Sequence, residues 1–316
     1  MQRFARLTLA IAIACTTAST ALADEPLRVR IFAAGHADAT LIRVPSGEVI
    51  LFDAGRGDAS WLGDNLVKRR LLPFFRAQGI KRIDAFFISH AHWDHFGDIA
   101  ALAAGVRIGH IYVNRDSDHH LGSELAATGV PRTILARGKT VRFGKLTIDI
   151  LGPPPSRRPR RMSIGPINNN SLVLRLRYGR TRFLLPGDVM RGGERRLLRE
   201  GRLGRVDVLK LGHHGLHTPV KGWLARLRPK FAVASCGDKW RQRVDYVPRG
   251  LLSALRRRRV TLLRTDRDGD IVFASDGRQV TVRRERAHRY VPAWLAARRR
   301  ARASRSRPRR AKVRRQ

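Results

Sequence analysis

His90, His92, Asp94 and His95 fall within six residues, directly after the apolar run 85–88. Imidazole nitrogen and carboxylate oxygen are the ligand types that zinc prefers, and they also serve iron and manganese. His90 and His92, alternating at a strand end, can face one ion. Asp94 and His95, in the tight turn that follows, can face a second. A single histidine is more often structural, but four such groups this close are costly to bury without a cation. Two further donors end other apolar runs. Leu184-Leu185-Pro186-Gly187-Asp188 puts a carboxylate at a strand tip, and Lys210-Leu211-Gly212-His213-His214-Gly215 puts an imidazole at another. Taken singly, Asp188 also reads as a helix N-cap, and His213 and His214 as loop residues. Beside the first cluster they supply the bridging carboxylate and further nitrogen of a two-metal site. Such a site lowers the pKa of a bound water to near neutrality and polarises an electrophile, which is hydrolytic chemistry. Asp94 is then the nearest proton acceptor as well as a ligand. His214 and His217 are candidates to stabilise the leaving oxygen, although Thr218-Pro219 beside His217 already reads as a helix start.

These donors need strands to aim them. The pattern predicts strands at 28–34, 39–44 and 48–52, the last two joined by the turn Pro45-Ser46-Gly47. Helical spacing covers 61–78, with Gly79 as its stop. A short buried strand at 85–88, a helix at 99–104 and a strand at 108–113 follow, then a loop-like stretch. Residues 141–150 read as two strands around Gly144-Lys145. Residues 153–170, rich in Pro, Arg and Asn, read as a long exposed loop. Strands at 172–178 and 181–185, a helix at 193–199 and a strand at 206–211 come next. Helix 220–227, strand 231–235, helix 250–257 and strand 260–263 continue the alternation, and a hairpin of 271–274 with 279–283 ends it. Strands first, then alternating strand and helix, then the same again, suggest two packed sheets with helices outside, an α/β class built from two similar halves.

The H-x-H-x-D-H run, the later Gly-Asp after a strand and the strand-end histidine resemble the metallo-β-lactamase superfamily. Residues 41–55, 170–174, 184–188, 208–215 and Thr265-Asp266-Arg267-Asp268-Gly269 also resemble the hydrolase domain of ComEC-type DNA-uptake proteins. The resemblance covers most of 28–283. It implies a four-layer αββα sandwich with metals at one edge and a lean towards phosphodiester substrates. Carried over by position, His90 and His92 hold a first metal, Asp94 and His95 a second, Asp188 bridges, and His213 completes the second, with His214 as the alternative. The superfamily often has another histidine before the Gly-Asp. Here that place reads Asn168-Asn169-Asn170-Ser171, as in ComEC-like relatives, leaving His119 and His120 as substitutes and the first metal short of a third nitrogen. The site is expected to work with one or two ions, zinc or manganese. In the opening loop, Asp38 is a partner for a ligand histidine. His36 reaches the site mouth or is an exposed loop residue, and Asn170 is a candidate supporting or substrate-contacting residue.

Composition frames the substrate. The 316 residues carry a formal net charge of +39, most of it arginine. Residues 298–315 are basic at nearly every other position, which predicts a tail that repels itself and builds no core. Two readings of it stay open: capture of a polyanion such as nucleic acid or an anionic surface, or a solvated tail with no partner. At the other end, Arg3 and Arg6 precede the small-residue apolar run 7–22, and Ala21-Leu22-Ala23 reads as a cleavage site. An uncleaved anchor is the alternative. The expected organisation is a signal peptide at 1–23, one hydrolase domain at 24–290 and a tail at 291–316, periplasmic or secreted, with no transmembrane segment in the mature chain. Cys236, alone after cleavage, reads as a buried strand-end residue. The function expected is a metal-dependent phosphodiesterase or nuclease. The alternatives are a lactonase or β-lactamase, and a non-catalytic polyanion-binding protein on the same scaffold.

Overall fold

The computed structural model describes residues 25–57, 65–156, 158–237 and 247–285. The expected leader, the arginine tail and the boundaries at 23 and 290 lie outside them.

Two sheets form the centre. The first runs in the order Val280–Glu285, Asp270–Ser275, Leu27–Ile31, Ala39–Arg43, Val49–Arg56, Ala85–Phe87, Ile111–Val113 and Arg132–Ile134. Pairing is antiparallel as far as Val49–Arg56 and parallel beyond it. The second sheet repeats this plan. Thr140–Phe143, Leu146–Gly152, Val173–Tyr178 and Thr181–Leu185 are antiparallel, and Val208–Lys210, Phe231–Ala234 and Thr261–Arg264 add in parallel.

The period-two alternation of a strand sends neighbouring side chains to opposite faces, and here it sorts the apolar residues into three cores. Ile50 and Phe52 point between the sheets, with Leu174, Leu176, Val208, Val233 and Phe273. Val49 and Leu51 of the same strand point outward against Val67, Leu71, Phe75 and Leu102 of the first helix layer. On the far side Val173, Leu209 and Ala232 meet Leu197, Trp223, Leu227, Leu251 and Leu255 of the second helix layer. Three cores separate four layers, which is the αββα sandwich. Strand Val49–Arg56 is buried along its whole length, as expected where both faces of a sheet are covered.

Two stretches depart from the sequence reading. Residues after 113 are not loop: helices Arg115–His120 and Gly122–Ala127 follow, the first capped by Asn114 Oδ1 accepting from Ser117 N at 2.7 Å. The first is polar throughout and the second only six residues long, so neither shows an apolar period. The described residues of 155–164 are exposed as expected, but the end of the stretch is not loop: helix Ile164–Asn168 forms there, and Ile167, Asn168 and Asn170 are buried. Asp116 pins this segment, accepting from Arg160 N at 2.8 Å and from Asn170 Nδ2 at 2.7 Å. A polar segment reads as exposed unless its hydrogen-bond partners are known.

Candidate metal centre

The donors sit past the carboxyl ends of strands from both sheets, where open α/β architectures place their sites. Ala85–Phe87 leads into Ser89 and His90, Thr181–Leu185 into Asp188, and Val208–Lys210 into His214. Gly187 makes the second approach tight. Its φ is +56°, and a Cβ there would stand 2.8 Å from the Ser171 Cβ and 2.9 Å from the Ser89 Cβ. Three non-glycine residues at the site also hold positive φ: Asp53 at 60°, His213 at 49° and His214 at 57°. Such backbone costs on the order of 1–3 kcal/mol each and clusters at functional sites.

Asp188 Oδ2 lies 3.3 Å from His95 Nε2 and 3.4 Å from His214 Nε2. Asp94 Oδ2 stands 3.3 Å from the same His214 nitrogen, and Asp94 Oδ1 4.0 Å from His95 Nε2. All four side chains are buried. Several of these atoms make no well-formed hydrogen bond: His95 Nε2, both His214 ring nitrogens and Asp188 Oδ1 are buried orphans, with carboxylates only at 3.3–3.4 Å from the nitrogens. Buried polar atoms are normally satisfied, so convergent orphans of this chemistry fit a bound cation.

Electrostatics agree. Burial would push the Asp188 and Asp94 carboxyls up, but His214 and His95 hold both below the usual range. Burial would push His95 and His214 down, but Asp188, with Asp53 or Asp38 behind it, holds both well above ordinary histidine. The carboxylates demand positive charge at this point, and protons or a metal ion supply it.

Each inward-facing imidazole is held from behind. His95 Nδ1 meets Asp53 Oδ2 at 2.9 Å, which turns Nε2 to Asp188. His214 Nδ1 lies 3.4 Å from Asp38 Oδ1, and the other Asp38 oxygen is 2.6 Å from buried Lys210 Nζ. Asp38 therefore stands behind His214, although its carboxylate also falls within reach of the His95, Asp188 and His214 group. Carboxylates placed this way fix the tautomer and orientation of ligand histidines.

His90 and His92 form the neighbouring half, with His90 Nε2 and His92 Nδ1 3.0 Å apart. Ser89 Oγ contacts His90 Nδ1 at 2.9 Å, leaving Nε2 for that half. Burial first, then His95, keeps both rings below ordinary histidine, hence neutral and fit to ligate. The Asn168 side chain interacts with His92 on this side. His36 closes the mouth, its ring 4.3 Å from that of His214 and its Nε2 3.9 Å from Asp94 Oδ2. Burial and His214 push its pKa down to about 3.

Several expected positions fall elsewhere. His213 does not join the group: it is half-buried, turned from His214 by the positive-φ backbone, with its ring 6.1 Å from its neighbour's. His214 takes the place first given to His213. His119 and His120 end helix Arg115–His120, and His120 Nε2 is bound to Arg160 O. Neither belongs to a group of candidate metal donors among the described residues. Asn170 holds Asp116 rather than reaching the donors, and its carbonyl accepts from Asn114 Nδ2. His217 is bound to Glu194 at 3.1 Å. Cys236 is buried beside Asp266, with its thiol pushed up to about 12 by burial and that carboxylate. Asp53, Ser89, Lys210 and Asn168 were not anticipated. Asp53 and Lys210 did leave a signal, each being a charge inside a buried apolar run.

The sequence profile of the Metallo-beta-lactamase superfamily matches residues 33–237, nearly two thirds of the chain. The chain belongs to the metallo-β-lactamase superfamily. Within it, ComE operon protein 3 of Bacillus subtilis (strain 168) is 27% identical over 266 residues, covering 72% of this chain and 33% of that protein. Competence protein ComA of Neisseria gonorrhoeae is 27% identical over 274 residues, covering 85% and 35%. The chain thus spans about a third of these relatives' length and matches a ComEC-type metallo-β-lactamase domain within them. The metallo-beta-lactamase fold protein YhfI from Bacillus subtilis superposes with a TM-score of 0.52 at 13% identity, over 79% of this chain and 100% of that one, and shows the shared fold. The family is one of metal-dependent hydrolases, and the donor group fits the divalent ions it uses.

Proposed function

We propose that this metallo-β-lactamase domain hydrolyses phosphodiesters in a polyanionic substrate, with nucleic acid as the class its charge suits. The observation that carries the hydrolytic part is the convergence of Asp38, His95, Asp188 and His214, with Asp94 and His36 gathered on the same His214, and with His95 Nε2, Asp188 Oδ1 and both His214 nitrogens buried without a hydrogen-bond partner. A formal charge of +39 favours phosphate-rich substrates over small lactams or lactones, and one relative is named Competence protein ComA.

His90 and His92 would hold one ion, and Asp94, His95, Asp188 and His214 a second; zinc suits the imidazoles and manganese the carboxylates. Ions bound there supply the charge that acidifies water to near neutrality and polarises the phosphorus–oxygen bond. Asp94 is placed to take the proton of the attacking water. His36, neutral and at the mouth, contacts the Asp94 side of the site and can orient the substrate. Asp53 and Asp38 keep His95 and His214 from rotating, and Lys210 neutralises Asp38 so that its charge does not oppose the substrate.

Metal content and hydrolysis of bis(p-nitrophenyl) phosphate, single-stranded DNA, a lactone and a β-lactam test this directly. The expected result is about one to two ions per chain and cleavage of the diesters alone. Cleavage of the lactone or lactam instead would overturn the substrate class. A metal-free, inert protein that binds DNA would overturn hydrolysis. We also place the mature domain outside the cytoplasm, supported by the basic, apolar and small-residue order of residues 1–23; amino-terminal sequencing should begin at Asp24. Among the described residues no helix is long and apolar enough to cross a membrane. The arginine tail adds polyanion affinity in this reading, so removal of residues after Val291 should flatten the salt dependence of DNA binding.

A further inference from the structure

The outer face of the first sheet carries arginines where a helix layer would put apolar side chains. In strand Leu27–Ile31, Leu27, Val29 and Ile31 point into the inter-sheet core, so Arg28 and Arg30 point out. Cross-strand register places Arg43 directly opposite Arg28, and Val272 links Arg30 to Arg283 along the next row. These four arginines, with Phe74 and Gln78, line a cleft of about 80 Å3 beside helix Leu72–Ala77.

The pairing is unfavourable in itself, because like charges directly opposite on a sheet destabilise it. Nearby acids offset only part of it. Arg30 is paired to Asp270 at 2.8 Å and Glu285 at 2.6 Å, and Glu285 also takes Arg283. Among the described residues Arg28 has one acidic partner, Glu25 at 3.8 Å, with Arg28 half-buried and Glu25 exposed. Arg43 is exposed and has no acidic partner among the described residues. Arg30 also stacks over Phe74, 4.8 Å from the ring centroid, which holds that guanidinium in place. The result is a recess with surplus positive charge at Arg28 and Arg43, one guanidinium held by Phe74 and its two acids, and no carboxylate in its lining.

We propose that this arginine cleft is a second anion site that binds phosphates of a single-stranded nucleic-acid backbone, apart from the metal centre. Guanidinium groups suit phosphate oxygens bidentately, and basic grooves with aromatic side chains are how single strands are held. An anionic membrane is the poorer occupant, since among the described residues the exposed large apolar side chains are Met162, Ile164 and Leu252, none of them in this cleft. The cleft extends the phosphodiester reading, but binding and hydrolysis are measured separately, so either can fail alone.

The test uses the full chain, wild type against R28Q/R43Q, with R256Q/R257Q on helix Arg249–Arg257 as a control of equal charge loss. Anisotropy titration of a labelled single-stranded oligonucleotide is run across a salt series, and bis(p-nitrophenyl) phosphate hydrolysis is followed in parallel. R28Q/R43Q should weaken DNA binding at least about fivefold and lower the log–log salt slope by about 1.4, two contacts at about 0.7 each. The control should change affinity less than about twofold, and small-diester hydrolysis should keep its wild-type level in both. Tm of R28Q/R43Q should equal or exceed wild type, since a repulsive pair is removed, which separates lost binding from lost folding. Equal slopes in the two variants would overturn the site. So would unchanged DNA binding with lost affinity for phosphatidylglycerol vesicles, which would make the cleft a lipid contact.

Discussion

At His214 a buried ring faces Asp94 and Asp188 on one side and Asp38 on the other, while His213 beside it turns its ring elsewhere. The two histidines should therefore part in function. Asparagine tolerates positive φ, so His214→Asn and His213→Asn change the donor and spare the turn. His214→Asn should lower diester hydrolysis more than about 100-fold, beyond what loss of a supporting residue costs, and should reduce the metal measured per chain after dialysis. His213→Asn should stay within about threefold. The reverse ranking would move the ligand to His213. Away from the site, Asp149 shows a carboxylate whose charge is secured: burial would raise its pKa, but Arg177 and Arg175, at 2.7–3.1 Å, pull it below the usual value. A depressed folded pKa means that this contribution is complete above the unfolded value, about 3.9, and is lost as pH falls through the folded one. Asp149→Asn should cost about 1–2 kcal/mol at neutral pH. Urea midpoints should show that gap closing between about pH 4 and the acid limit, and a gap that persists in acid would assign it to packing instead.

Elements set how closely the donors can approach. The strand Thr181–Leu185 delivers Asp188 through Gly187, whose α-carbon is wedged between Ser171 and Ser89. Gly187→Ala should cost on the order of 1–3 kcal/mol from overpacking and positive φ. Metal affinity should fall further than Tm alone predicts, because the new methyl displaces Asp188 from His95 and His214. Calorimetric metal titration against thermal unfolding separates the two effects, and equal affinity in a destabilised protein would show that the strand end is free to shift. The same elements explain what the sequence disclosed. Strands whose alternate residues enter two cores, such as Val49–Arg56 and Val173–Tyr178, were legible from apolar patterning, and so were the donors that follow buried strands. Helices Arg115–His120 and Gly122–Ala127 were not, because six residues are too few to show an apolar period and such short helices depend on tertiary packing, aided in the first by the Asn114 cap. The choice between His213 and His214 was equally hidden. Neighbouring residues of one type are told apart by backbone direction, and here that rests on consecutive positive-φ conformations which histidine does not announce.

For the whole molecule the question is how far stability depends on the ions the site is built for. The three apolar cores extend through all four layers and are built from side chains other than the donors, so the sandwich has its own means of holding together. The cluster opposes it, because Asp38, Asp53, Asp94 and Asp188 are all buried within one region. Protonated His95 and His214 offset part of that charge when no ion is bound. A ligand that binds only the folded state stabilises it by about 2.7 kcal/mol at a hundred times its dissociation constant. In a domain of this size 1 kcal/mol moves Tm by about 2–4 °C. Chelation should therefore lower Tm by about 5–10 °C, with far-ultraviolet circular dichroism at 25 °C unchanged, and zinc or manganese should restore it. Unfolding on chelation at 25 °C would mean that the cores do not suffice without the ion. An unmoved Tm, with metal measured as bound, would mean that the ion is held too weakly to repay the cost of gathering those carboxylates.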